Sequence, residues 1–279
     1  MDVDAYLRRI EYDGPHVASP ETLRGLHRQH LFTVPFENLD IPLGTPIRLD
    51  LSQIYDKIVT RRRGGFCYEL NGLFGALLSA MGFSVQMLSA RVRRKDGGFG
   101  PEFDHMLLKV ELEEPWLVDV GFGDSFVHPI VFREGGADQT NGYRYVVLAV
   151  GDEWQLVRED EKGQVPLYAF RDVPHTLDDY QQMCRFHQVS PESHFTKSWI
   201  CSRATLEGRV TLTNMRFIVT GGGSREEIQL STEGELRRCL REFLGVEFGE
   251  TVDLARLVRV SALLEKPEIA DPSLAEAGS

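Results

Sequence analysis

The sequence predicts an α+β protein built in three successive parts: a helical bundle, an antiparallel β-barrel and a mixed α/β segment. Three observations carry that reading. Up to about Gly82 the apolar residues recur at steps of three and four, and from Phe83 they alternate with polar ones. In the last third, strand-like and helical stretches are interleaved. The boundaries are drawn at residues 1–84, 85–188 and 189–279. A chain of 279 residues is long for one core, so two or three subdomains are expected.

The elements follow in order. Val3, Leu7 and Ile10 give a short amphipathic helix behind Asp2 or Asp4. Ser19-Pro20-Glu21 is a helix start, with a capping hydroxyl, a proline at the first position and an early carboxylate. Leu23, Leu26 and His30 lie along one face of that helix, which ends before Pro35. The segment Val34–Leu39 is extended and irregular, with Phe36 and Leu39 turned inward. Leu51, Ile54, Tyr55, Ile58 and Val59 form a third helix leading into Arg61-Arg62-Arg63. Gly64-Gly65 then turns into a long helix whose stripe is Leu70, Leu73, Phe74, Leu77, Leu78 and Met81, stopped by Gly82.

In the second part, strands are expected at Val85–Ser89, Met106–Leu112, Trp116–Val120, Tyr143–Val150, Trp154–Arg158 and Val165–Phe170. Tight turns between them predict a sheet curling into a barrel. Thr176 caps a helix through Leu177, Tyr180 and Cys184, broken at Ser190-Pro191. Strand-like pieces follow at Trp199–Cys201, Arg209–Thr213 and Met215–Thr220. A helix then begins at Ser231-Thr232 and stops at Gly245. The polar tail after Lys266 is expected to be poorly ordered.

Composition bounds the function. Hydrophobic content of 42% with 26% charged residues is that of an ordinary soluble globular protein. A net charge of −11 argues against nucleic acid as the main partner, because phosphates would be repelled. Arg61–Arg63 and the group Arg91, Arg93, Arg94 and Lys95 could still bind one small anion, or could be solvated faces. No apolar run approaches membrane-spanning length, and the acidic N-terminus lacks a signal sequence. The four cysteines are scattered without a C-x-x-C pair, which speaks against a metal site or a disulfide framework. A cytoplasmic location is expected.

Cys67 falls at the first turn of the long helix, where free N–H groups and the helix dipole favour an anion. It reads as a reactive thiol, with a buried structural cysteine as the alternative. A nucleophilic cysteine needs a histidine and a third polar group to hold it. Of eight histidines, His105 stands at the start of a strand. Asp119 lies between Val118 and Val120, where a carboxylate is costly unless paired. Spacing alone also allows Asp119 to face solvent on an edge strand.

With these residues in hand the chain resembles the arylamine N-acetyltransferases. The resemblance rests on Val34-Pro35-Phe36-Glu37-Asn38-Leu39, Arg63-Gly64-Gly65-Phe66-Cys67-Tyr68-Glu69-Leu70-Asn71, His105-Met106 and Val118-Asp119-Val120-Gly121-Phe122-Gly123. It implies a bundle, a barrel and an α/β lid around a core like that of cysteine proteases and transglutaminases. It also implies a Cys67–His105–Asp119 triad and a two-step transfer of acetyl from acetyl-CoA to arylamines, arylhydrazines or N-hydroxyarylamines, a role in xenobiotic metabolism. No tightly bound cofactor and no metal are expected. Phe36, Phe122 and Phe126 could wall a planar substrate or simply pack the core. Gly121 and Gly123 would let a backbone approach CoA closely. The Cys67 N–H is the candidate oxyanion donor. Where some members carry Thr-Gly before the histidine, this chain has Pro101-Glu102-Phe103-Asp104. An ansamycin-type macrolactam synthase and a transglutaminase-like hydrolase are the competing readings.

Three further expectations concern neighbours of the triad. Arg63 and Glu37 should pair and tie the extended segment to the Gly-Gly turn, unless both face solvent. Asn71, one helical turn after Cys67, should donate to Asp119, unless it is merely exposed near a helix start. The Cys67 thiol should titrate below its ordinary range.

Overall fold

The computed structural model describes residues 1–264; the expected disorder after Lys266 falls outside the described residues. Helix α1, Val3–Arg9, is capped by Asp2, which accepts the Ala5 N–H at 2.9 Å. Helix α2, Pro20–Thr33, is capped by Ser19. Strand β1 is only Phe36–Glu37, followed by the single turn α3, Asp40–Leu43. Helix α4, Leu51–Tyr55, runs into a π-helical turn, Asp56–Thr60. Helix α5 is Cys67–Ala80, and Gly82 ends it with a φ of 90°. Its apolar stripe meets Tyr6, Leu7, Leu23 and Leu26 on one side and Leu108, Val110, Trp116 and Val118 of the barrel on the other. The long central helix therefore joins bundle to barrel.

The barrel comprises β2 (Ser84–Val92), β3 (His105–Glu111), β4 (Pro115–Val118), β5 (Ile130–Val131), β6 (Ala137–Thr140), β7 (Tyr143–Val150), β8 (Glu153–Asp160) and β9 (Gly163–His175). They form one antiparallel sheet in the order β5-β4-β3-β2-β9-β8-β7-β6. The sheet nearly closes, because the Val127 N–H reaches Thr140 Oγ1 at 3.0 Å across the two edges. Its interior is filled by Leu88, Leu107, Leu117, Phe126, Tyr145, Leu156, Tyr168 and Phe170. Strand β9 is longer than its apolar pattern predicts. Pairing with both β8 and β2 carries it on to His175, with an irregularity between Leu88 and Ala90.

Beyond a 3-10 turn, Leu177–Tyr180, come α6 (Gln181–Val189) and α7 (His194–Lys197). A second antiparallel sheet follows, of β10 (Ile200–Ala204), β11 (Gly208–Thr213), β12 (Arg216–Gly221) and β13 (Ser224–Gln229). It is backed by α8 (Glu233–Glu242) and α9 (Ala255–Leu264). Strand β1 pairs with β10, so a piece of the N-terminal part forms the edge of this sheet. Trp199, Leu212, Phe217, Leu236, Leu240, Leu244 and Leu257 fill the core beneath it. Among the described residues no helix is long and apolar enough to cross a membrane.

Candidate active site

The local sequence explains why Cys67 sits where it does. The Glu69 carboxylate folds back to accept the Phe66 N–H at 3.1 Å, fixing the helix start. Gly64 and Gly65 allow close approach rather than an unusual φ. A Cβ on Gly64 would lie 2.1 Å from the Pro35 carbonyl, and one on Gly65 2.8 Å from Glu69. The extended segment thus packs directly on the turn before Cys67, and the Glu37 N–H bonds Gly65 O at 2.8 Å.

A buried ionic network secures that packing. Arg63 Nε donates to Glu37 Oε1 at 2.9 Å and its terminal nitrogen reaches Asp40 Oδ1 at 2.9 Å. Lys57, from the π-helical turn and marked by no sequence motif, bonds both Asp40 Oδ2 at 2.7 Å and Glu69 Oε1 at 2.8 Å. Burial pushes the Asp40 carboxyl up, but Lys57 and Arg63 together hold it below its usual range. Glu69 is raised, burial outweighing Lys57. Asn38 links the same segment to the lid, donating to Ser198 O at 3.0 Å and accepting the Ile200 N–H at 2.8 Å.

The three candidate catalytic side chains converge from α5, β3 and the turn after β4. His105 opens β3 and its Nε2 donates to Asp119 Oδ2 at 2.8 Å. Asp119 stands one residue past the end of β4 and not within the strand that its apolar flanks indicate, and its carboxylate is buried among His105 and Asn71. All three are buried, and Cys67 and His105 line one cavity of about 470 Å³. Asn71 Nδ2 donates to Asp119 Oδ1 at 2.9 Å and to Met106 O at 2.6 Å, while its Oδ1 accepts the Val120 N–H. Burial raises the Asp119 carboxyl; His105, Asn71 and the Gly121 N–H outweigh it and keep the group below its ordinary value.

Two partners of Asp119 escaped the sequence reading. Tyr168, from β9, donates its hydroxyl to Asp119 Oδ2 at 3.1 Å. His27, from α2, lies 3.2 Å from the Asp119 N–H through Nε2 and 2.7 Å from Val127 O through Nδ1. No local motif marks either residue, because strand or helix periodicity accounts for both. Cys67 departs from expectation in another way. Burial pushes its thiol up, and Asp119 and Asp104 add to this against the Met106 N–H. The low thiol pKa expected from the helix dipole is therefore not a property of the resting site.

The aromatic candidates separate. Phe36 and Phe122 line the cavity, the latter edge-on to His105 at 5.2 Å. Phe126 is fully buried in the barrel core, stacked on His27 at 5.6 Å, and does not face the cavity. The reason is that it falls between the two barrel edges. Gly121 and Gly123 both line the cavity. At Gly121 the tight approach is to α5: a Cβ there would lie 2.7 Å from Asn71 Nδ2 and 2.8 Å from Cys67 Cα. The opposite wall comes from the lid, through Phe195, Ser202, Arg209 and Thr211, which sequence reading assigned no role.

Comparison with known proteins agrees with this arrangement. An N-acetyltransferase family model matches residues 19–252. The arylamine N-acetyltransferase of Escherichia coli (strain K12) is 34% identical over 262 residues, covering 91% of this chain and 93% of its own. The chain belongs to the arylamine N-acetyltransferase family. It is accordingly an acyltransferase. The family member from Mycolicibacterium smegmatis is 32% identical over 272 residues, covering 95% of this chain and 99% of that one. The Mycobacterium marinum arylamine N-acetyltransferase, solved in complex with CoA, superposes with a TM-score of 0.86 at 30% identity. That match covers 94% of this chain and 99% of the other. The cavity of this arylamine N-acetyltransferase is lined by Phe36 and Cys67, by Val92 and His105 of the barrel, and by Phe195 and Arg209.

Proposed function

We propose that this enzyme transfers an acetyl group from acetyl-CoA to the nitrogen of arylamines, arylhydrazines or N-hydroxyarylamines through an acetyl-Cys67 intermediate. The observation that carries the reading is the shared cavity of Cys67 and His105, with the far imidazole nitrogen locked to Asp119. Because Nε2–H is committed to the carboxylate, Nδ1 is the nitrogen left to take the thiol proton. The resulting thiolate attacks the thioester carbon, the C–S bond to CoA breaks, and the imidazolium returns its proton to the departing thiolate. An amine then attacks acetyl-Cys67, and His105 removes the amine proton as the Cys67 thiolate leaves. Asp119 orients the ring and stabilises its charge in both halves. The Cys67 N–H at the open end of α5 is the oxyanion donor.

Phe36 and Phe122 supply flat apolar walls for the acceptor, and a cavity of about 470 Å³ is in the range of small-molecule sites. Gly123, with a φ of 92°, offers bare backbone to the pantetheine arm. All four cysteines are free, which suits work in a reducing cytoplasm. Incubation with acetyl-CoA followed by intact-mass analysis tests the reading. A gain of one acetyl group that is absent in Cys67→Ala and is discharged by an arylamine supports it. An unmodified native chain, or hydrolysis unaffected by amine, overturns it.

A further inference from the structure

The active cavity adjoins a second one, of about 640 Å³, between the Asn141-Gly142 turn of the barrel and the Gly221–Gly223 turn of the lid. Only Asp124 and Arg209 line both. Arg209 Nε donates to Asp124 Oδ1 at 3.0 Å, so this ion pair is the partition. The two partners are held very differently. The Arg209 side chain is 11% exposed and a second nitrogen donates to Ser202 Oγ at 3.1 Å, whereas Asp124 is 63% exposed. Arg209 is also the one arginine or lysine among the described residues lining the active cavity.

We propose that Arg209 selects phosphate-bearing acyl donors, a donor phosphate displacing Asp124 from the guanidinium and opening the passage between the cavities. This rests on the acetyl-CoA reading above. Phosphate is the stronger competitor, since it carries more charge and matches the planar guanidinium with two hydrogen bonds. Asp124 can turn into water and be fully solvated, so its release costs little. Arg209 is held back by its burial and its hydrogen bond to Ser202. In a chain of net charge −11, a fixed local cation offsets the overall repulsion that a phosphate meets. The carboxylate keeps the cation neutralised and the passage shut between turnovers.

The test compares acetyl-CoA with S-acetylpantetheine, a thioester that lacks the nucleotide phosphates. The readout is the ratio of kcat/KM values for the two donors with one arylamine. Arg209→Gln should lower that ratio by about tenfold or more, the loss of one charge-assisted contact. Asp124→Asn should raise it several-fold by removing the competitor, and Arg209→Lys should restore part of it. The proposal needs both directions. A ratio unmoved in either variant, or a loss shared equally by the two donors, overturns it. Should Arg209→Gln not fold, Asp124→Asn alone decides, because an unchanged or lower ratio contradicts the exchange. Failure of the native chain to acetylate Cys67 with either donor would instead strike at the acetyl-transfer reading, and intact mass distinguishes the two.

Discussion

Replacing His27 by Gln should flatten the acid side of the stability profile. His27 is fully buried, its Nδ1–H donates to Val127 O, and its bare Nε2 accepts the Asp119 N–H. Burial, partly opposed by the Val127 carbonyl and the Asp119 charge, lowers its pKa from 6.5 to about 4. Between those values the unfolded chain binds a proton that the folded chain refuses. Stability is therefore complete above pH 6.5 and is lost as pH falls toward 4. At 1.36 kcal/mol per pH unit the full gap is worth about 3 kcal/mol, of which about 2 kcal/mol is lost by pH 5. That corresponds to a Tm lower by about 4–8 °C for a domain of this size. His30 and His194 are also lowered by burial, so the native profile falls further than His27 alone requires. Gln offers one amide donor and one carbonyl acceptor in place of the two ring nitrogens and does not titrate. Urea unfolding at pH 8 and pH 5 should thus show a native-minus-variant difference that shrinks by about 2 kcal/mol at the lower pH. Parallel profiles for the two proteins would refute the reasoning.

Two further outcomes follow from the same region. Arg63→Ala strands the buried carboxylate Glu37, leaves Asp40 with Lys57 alone, and should cost about 3–5 kcal/mol, read as a fall in urea midpoint at unchanged slope. Asn71→Ala removes one donor from Asp119 and leaves Met106 O and the Val120 N–H without their partner. Rapid-quench acetylation of Cys67 should slow by about 10–100-fold while the KM for acetyl-CoA moves less, and an unaltered acylation rate would contradict a positioning role.

How much of this could be read from the chain divides along a physical line. Local signals were legible: Ser19-Pro20 capping α2, the three-four stripe of α5 and its Gly82 stop are decided within a few residues. So was Tyr143–Val150, whereas spacing alone left Asp119 free to face solvent, and its grouping with Cys67 and His105 rested on the family resemblance. Strand β13 was not legible, since Ser224–Gln229 is exposed throughout and owes its conformation to pairing with β12. Helix α9 was missed for a related reason: its inward Leu257 and Ser261 make sense only once Trp199, whose ring N–H donates to Ser261 Oγ at 2.9 Å, is beside them. Lys57, Tyr168 and His27 were invisible as site residues because each reaches its partner across 12 to 92 positions of sequence. The fate of Phe126 depended on barrel closure, a property of the whole sheet.

The burial that raises Cys67 also explains why so many groups surround Asp119. An isolated thiolate in this cavity would be expensive, but in the proposed mechanism the proton moves to His105 and leaves the pair neutral as a whole. The separated charges then need a fixed anion behind the imidazolium. Asp119 supplies it, held ionised by Asn71 and the Gly121 N–H as well as by His105. Tyr168 completes the set as a neutral donor, its own hydroxyl made harder to ionise by burial and by Asp119. His27 touches the Asp119 backbone and could have been a rival cation, drawing the carboxylate's field away from His105. Burial lowers its pKa to about 4 and so keeps it neutral near pH 7, and its ring meets the Asp119 backbone while His105 meets the carboxylate. The depressed His27 and the raised Cys67 thiol thus have one cause, burial without a charged partner of their own, whereas Asp119, equally buried, stays ionised because His105, Asn71 and the Gly121 N–H face it.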